Sequence, residues 1–401
     1  MDEISTTAKI VQYTINKEIE LTYVEEIDRY FLKAGAHYTY ISVSLAETIR
    51  QIICQEVKLT QFLANPNLKN ALLKAGVISD NSETKVNSSY IKCQITLFNE
   101  KSIRWLCIPF LPLNYPKLFV SLTLFSLTLV LSFLFTSNEV SITGKFMAKS
   151  WGELTAKDYV FIYCGFFICL MLHEIGHACA AIYHGVKPKR IGFGVYFIFP
   201  VFFADVTDSW KVKRIARLQI DFGGIYMQLI ATSILIVLFS LEPTNKFYLY
   251  IISLNVISII HSLNPMLKFD GYWLASDFFA IHNLRQQSWK QLINFYKNGL
   301  SAINSWYNVL LNFYSIIVLL FSSYYLFLFF DLIISSQFLF ENLQKKLTSS
   351  LVYNNFYEVI TSIFFIIYCI IYVLAILFIG KIFLGYLRSA THFIGKKGMI
   401  K

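Results

Sequence analysis

Six apolar stretches, at 118–136, 158–182, 218–240, 247–263, 309–334 and 359–384, set the terms on which this chain can fold. A helix needs roughly 20 residues to cross the hydrocarbon core of a bilayer, so the short fourth stretch must end early. Charged residues make up 15% of the chain and hydrophobic ones 56%. Soluble globular chains carry about 25% charged residues, so the composition points the same way as the stretches. The expected fold is a polytopic α-helical membrane protein with about six transmembrane helices. The N-terminus, Met1-Asp2-Glu3-Ile4-Ser5, lacks a basic region ahead of an apolar core, so no secretory signal is expected.

Charge placement sets the expected orientation. Of the 35 Lys and Arg residues, 29 fall before the first stretch, in 183–217, in 264–308 and from Lys381 onward. The remaining six lie in 137–157, at Lys246, and at Lys345 and Lys346. Basic loops stay inside, so both termini are expected in the cytoplasm of a multi-pass protein of the cytoplasmic membrane. The net charge of +10 is dispersed over loops and forms no basic stripe. The bilayer is therefore an expected partner and nucleic acid is not. Seven cysteines include no Cys-x-x-Cys pair, which supports neither a disulfide framework nor a cysteine metal site.

The second stretch carries Met171-Leu172-His173-Glu174-Ile175-Gly176-His177-Ala178. On a helix, His173 and His177 leave the same face and can grip one metal ion, and Glu174 stands where a general base for an activated water belongs. Ionisable groups are costly in hydrocarbon, so their presence there argues for function. A catalytic zinc ion usually takes three protein ligands. His184 is seven residues after His177, and no Glu occurs between Glu174 and Glu242, which leaves Asp205, Asp208, Asp221 and Asp270. Asp270 is the best placed, because it follows a helix break at Pro265, lies at the inner face, and has Gly271 to admit close backbone. Asp205 and Asp208 are better suited to orienting loops or a histidine.

Ile191 to Phe203 is apolar, β-rich and interrupted by Pro200, and too short to cross. It reads as a hairpin or re-entrant strand beside the metal, whose edge could hold an extended substrate. The alternative is a hairpin packed on the bundle surface. Gly223-Gly224, early in the third stretch, allow close helix packing.

Residues 1–108 read as a soluble cytosolic module of α+β type. His37–Val43 is strand-like, Ser44-x-x-Glu47 can box the start of a helix, and a second helix around Leu68–Leu72 ends at Gly76. Leu45, Ile49, Ile52 and Ile53 share one face of the first helix. Ile91–Leu97 and Ile103–Cys107 alternate around Asn99–Ser102 and predict a hairpin. The module resembles the winged-helix domains that hold the leader of a ribosomally made peptide, and a plain structural domain is the alternative. Pro109, Pro112 and Pro116 make 109–117 a stiff linker into a membrane domain at 118–401.

Over roughly 158–280, the chain resembles the site-2 protease family of intramembrane zinc metalloproteases, and in detail a bacterial branch associated with peptide export and maturation. The matching motifs are His173-Glu174-x-x-His177 and Pro265-x-x-x-x-Asp270-Gly271. The resemblance implies Zn²⁺ on His173, His177 and Asp270, Glu174 as the catalytic base, and Asn264 and Gly271 at the substrate. It implies an endopeptidase acting on a membrane-bound peptide or precursor, in company with a peptide exporter or a leader. Ser262 replaces the family's usual Asn, and Gly223-Gly224-Ile225 leads to Gln228 where the family often has Ala-Gly-Pro and an Asn. The alternatives are a non-catalytic component of an export or immunity system, and a transporter.

Overall fold

The computed structural model describes residues 13–15, 19–24, 28–34, 37–54, 65–80, 91–136, 154–196, 199–265, 269–281 and 283–353, with scattered positions from 360 to 377. The short strands β1 (Tyr13–Ile15) and β5 (Ile78–Asp80) pair antiparallel. β2 (Ile19–Val24), β3 (Arg29–Ala34) and β4 (His37–Ile41) form an antiparallel meander. α1 (Val43–Ile53) and α2 (Pro66–Lys74) complete this module. Leu32, Ala34 and Ile41 of the sheet bury against Ala46, Ile49, Ile52 and Leu72 of the helices.

The sequence placed some of these elements well and missed others. α1 starts two residues before the expected box, because the Ser42 side chain accepts from the Leu45 N–H. Ile53, expected on the buried face, is exposed. α2 stops as expected, with Gly76 in the left-handed region at φ 73°.

The hairpin expected at 91–107 does not form. β6 (Ile91–Asn99) is followed directly by α3 (Glu100–Cys107). Alternation at 103, 105 and 107 also satisfies a helical i, i+4 pair, and packing chooses the helix. Ile103 and Cys107 bury against Ile175, Ala178 and Cys179, while Trp105 stays exposed. The Asn99 side chain caps α3 by accepting from the Ser102 N–H. No wing is therefore present in this part of the chain. β6 pairs with β7 (Arg190–Tyr196), which pairs with β8 (Phe199–Ala204), so one sheet straddles the boundary placed after residue 108. The proline-rich segment is a 3₁₀ turn, Ile108–Asn114, packed against the helices behind it. Its Leu113 and Asn114 carbonyls accept from Tyr226 Oη and Gln219 Nε2.

Among the described residues, four helices are long and apolar enough to cross a membrane. They are α4 (Pro116–Thr136), α5 (Ala156–Tyr183), α6 (Arg214–Leu241) and the first part of α10 (Trp306–Tyr353). α7 (Lys246–Ser262) is apolar but has only 17 residues, as its short sequence segment requires. α10 continues well beyond residue 334, where the fifth apolar stretch ends. Most of the sixth stretch, 359–384, lies outside the described residues. Between α7 and α10 come α8 (Asp270–Phe278) and α9 (Leu284–Asn298).

α5 and α6 approach backbone to backbone. A Cβ on Gly223 would sit 2.7 Å from the Gly176 carbonyl oxygen, and one on Gly176 would collide with the Gly223 carbonyl. The β7–β8 hairpin expected from Ile191–Phe203 forms and lies along α5. Phe202 packs edge-on against Phe167, with ring centroids 4.8 Å apart. Phe167 stands six residues before His173, so β8 reaches about 9 Å along the helix past the first histidine. The N-terminal module docks on the 3₁₀ turn that follows β8, Thr207–Lys211. Tyr40 Oη donates to the Trp210 carbonyl and Lys211 Nζ lies 3.0 Å from Glu20. That ammonium holds the Glu20 carboxyl below its ordinary range.

Candidate metal centre

α5 begins with a capping box, in which Thr155 and Asp158 satisfy each other's backbone N–H groups. Five turns later His173 and His177 emerge side by side toward α6, both nearly buried. The facing stripe of α6 repeats with the same period of four, as Ile220, Gly224 and Gln228. The Ile220 carbonyl accepts from His177 Nδ1 at 2.7 Å. Gln228 Oε1 accepts from His173 Nδ1 at 2.9 Å. Gly224 stands between them, where a Cβ would lie 2.5 Å and 2.6 Å from the two Nε2 atoms. A side chain there would fill the space onto which both rings converge.

Gln228 is fully buried and is itself held by α7. Its Nε2 donates to Asn255 Oδ1 at 2.9 Å and to Ser258 Oγ at 3.2 Å. Asn255 in turn donates to Thr232 Oγ1 at 2.7 Å. A buried polar group without a partner costs about 1–3 kcal/mol, and this network satisfies each member.

Asp270 arrives from the other side as the first residue of α8. α7 stops at Ser262, ahead of Pro265, whose carbonyl accepts from Tyr314 Oη at 2.7 Å. Gly271 then packs flush on the Leu263 carbonyl, too close for any side chain, which folds the chain back onto α6. Asp270 Oδ2 lies 2.9 Å from His173 Nε2 and Oδ1 lies 3.5 Å from His177 Nε2. The two Nε2 atoms are 3.1 Å apart.

These three groups could hold a metal ion, and among the described residues no other set of three does so. Three corners of a tetrahedron with bonds of about 2.0–2.1 Å are about 3.3 Å apart, close to the distances found. With both Nδ1 atoms donating to oxygen, the protons sit there and both Nε2 lone pairs turn inward, the tautomer a metal needs. Glu174, beside His173, is nearly buried and within electrostatic reach of His173, His177 and Asp270. The Ala204 N–H at the end of β8 is directed at its carboxyl group.

Two of the rival carboxylates are engaged elsewhere. Asp205 Oδ1 accepts from Thr207 Oγ1 at 2.6 Å, and Asp208 sits between Lys189 and Lys211. Asp221 is on α6 near Arg217 and outside the triad. His184 pairs with Gln219. Asn264 is fully buried next to Pro265, and Gly271 serves backbone packing. Gln228 was visible in the sequence only as a departure from a family pattern, and Asn255 and Ser258 not at all. The signal that could have found Gln228 is the four-residue step through Ile220, Gly224 and Gln228, matched to the histidines. Comparison of the chain with protein-family models, with curated proteins and with solved structures finds no match.

Proposed function

We propose that the chain is a membrane-embedded zinc endopeptidase that cleaves a membrane-associated peptide or peptide precursor. One observation carries the reading: two Nε2 atoms and a carboxylate converge with both Nδ1 atoms facing oxygen acceptors, and a second carboxyl group stands beside them. His173, His177 and Asp270 would hold the ion. Bound zinc would supply Lewis acidity for the scissile carbonyl and the attacking water. Glu174 accepts the proton from that water and returns it to the leaving amine. The proximity of the end of β8 to Glu174 supports binding of an extended substrate along that strand. The apolar helices favour a substrate that reaches the site through the bilayer. The bias of basic residues favours six spans with both termini in the cytoplasm. The docking of the N-terminal module on the loop after β8 supports a role for it in holding a leader segment.

The test uses purified protein in proteoliposomes with synthetic single-span peptides, fragment ends being mapped by mass spectrometry. About one zinc per chain and cleavage lost on chelation and regained with Zn²⁺ are expected. Cleavage that survives complete metal removal would overturn the reading. A second expectation concerns Gln228. Gln228→Leu releases the His173 ring and strands Asn255 and Ser258, so zinc affinity should fall by roughly 10–100-fold, the usual effect of losing a group behind a ligand. Competition with a chromophoric chelator measures it.

A further inference from the structure

Asp270 is carried by a helix that cannot place it unaided. α8 has nine residues, and isolated helices shorter than about 12–15 residues are marginal in water. Its position must come from its attachments. Near its start, Gly271 abuts the Leu263 carbonyl, and Trp273 meets Trp210 with ring centroids 5.6 Å apart. Near its end, Asp277 Oδ2 accepts from Arg217 Nε at 2.9 Å, both residues being 5% exposed or less. Arg217 belongs to α6, three residues before the Ile220 carbonyl that fixes His177. Its Nη1 also donates to the Val212 carbonyl at 2.9 Å, which locks the guanidinium in place.

We infer that the buried Arg217–Asp277 ion pair positions the metal site, by setting where α8 presents Asp270 to the two histidines. The inference rests on the metal centre proposed above. A buried pair contributes little net stability against an apolar replacement, so its value here lies in geometry. Functional groups must be held within about 0.5 Å of their working positions, and α6 thereby becomes the common frame for all three ligands. Asp221, one turn after Arg217, makes the device asymmetric. It lies within electrostatic reach of both Arg217 and Asp277, so removing Arg217 deprives two acidic groups of the same cation.

The test is a Co²⁺ titration of the full-length protein in detergent, followed by the visible absorption of the bound ion, with thermal unfolding of the metal-free protein alongside. Arg217→Gln should weaken Co²⁺ binding by roughly 10–100-fold and alter the absorption bands. Arg217→Lys should recover part of that loss, and Asp277→Asn, which keeps an acceptor, should lose less. Unchanged affinity and bands in Arg217→Gln, whatever its melting temperature, would overturn the inference and leave the metal centre standing. If wild type binds no Co²⁺ or Zn²⁺, the metal centre itself fails and the inference with it. If Arg217→Gln does not fold, Asp277→Asn decides: wild-type affinity and bands in that variant would overturn the inference.

Discussion

Glu174→Gln is expected to retain zinc while cleavage falls by roughly 10²–10⁴-fold, the range for loss of a general base. Glutamine has the shape of glutamate and keeps an oxygen for the Ala204 N–H, so the packing around α5 and the end of β8 should survive. The change removes the ability to accept a proton and little else. Glu174 lies next to a proposed ligand but outside the converging set, so the metal should stay. Elemental analysis of the purified variant and peptide mapping read the two effects separately. Cleavage near the wild-type rate would remove Glu174 from the chemistry, and loss of zinc would make it a ligand.

Asp270→Ala should lose zinc and activity together, whereas Asp205→Ala and Asp208→Ala should keep zinc. Among the described residues, Asp270 is the one carboxylate that touches both imidazoles, and two histidines alone leave the ion without its third protein ligand. Asp205 closes a local turn onto Thr207, and Asp208 pairs with two partly exposed lysines. Exposed pairs of that kind contribute about 0–1 kcal/mol, so their loss slackens the loop without emptying the site. A zinc titration of the three variants decides the matter. Wild-type affinity in Asp270→Ala, with loss in either of the others, would move the third ligand to the loop after β8.

Both results bear on how the site is held. His173 and His177 come from one helix and need only its local geometry. Asp270 comes from a chain reversal some ninety residues on, and depends on contacts among α6, α7 and α8. Damage to the second group of contacts should therefore weaken metal binding while α5 stays folded.

What the sequence by itself determined is whatever rests on local periodicity. Apolar length marks α4, α5, α6 and α10, and the brevity of α7 was readable in its segment. The four-residue step from His173 to His177 places both rings on one face of any helix, whatever surrounds it. Pro265 followed by Asp270-Gly271 announced a broken helix and a close return, because proline ends a helix and glycine alone tolerates the abutting Leu263 carbonyl.

The tertiary structure decided the rest. Residues 103–107 satisfy a strand's alternation and a helix's i, i+4 pair equally, and only burial of Ile103 and Cys107 against α5 selects the helix. Within the meander, β4 was readable at His37–Val43 but β2 and β3 were missed, because the short strands of the N-terminal module gain their definition from Ala46, Ile49 and Leu72 packed beneath them. Gln228 acquires its role from register. The backbone contact of Gly176 with Gly223 slides α6 to the one offset at which Ile220, Gly224 and Gln228 face the histidines. That offset depends on two segments almost fifty residues apart meeting at a particular height. Periodicity within either helix says which face is turned inward, but the height at which the two faces meet is set by the contact itself.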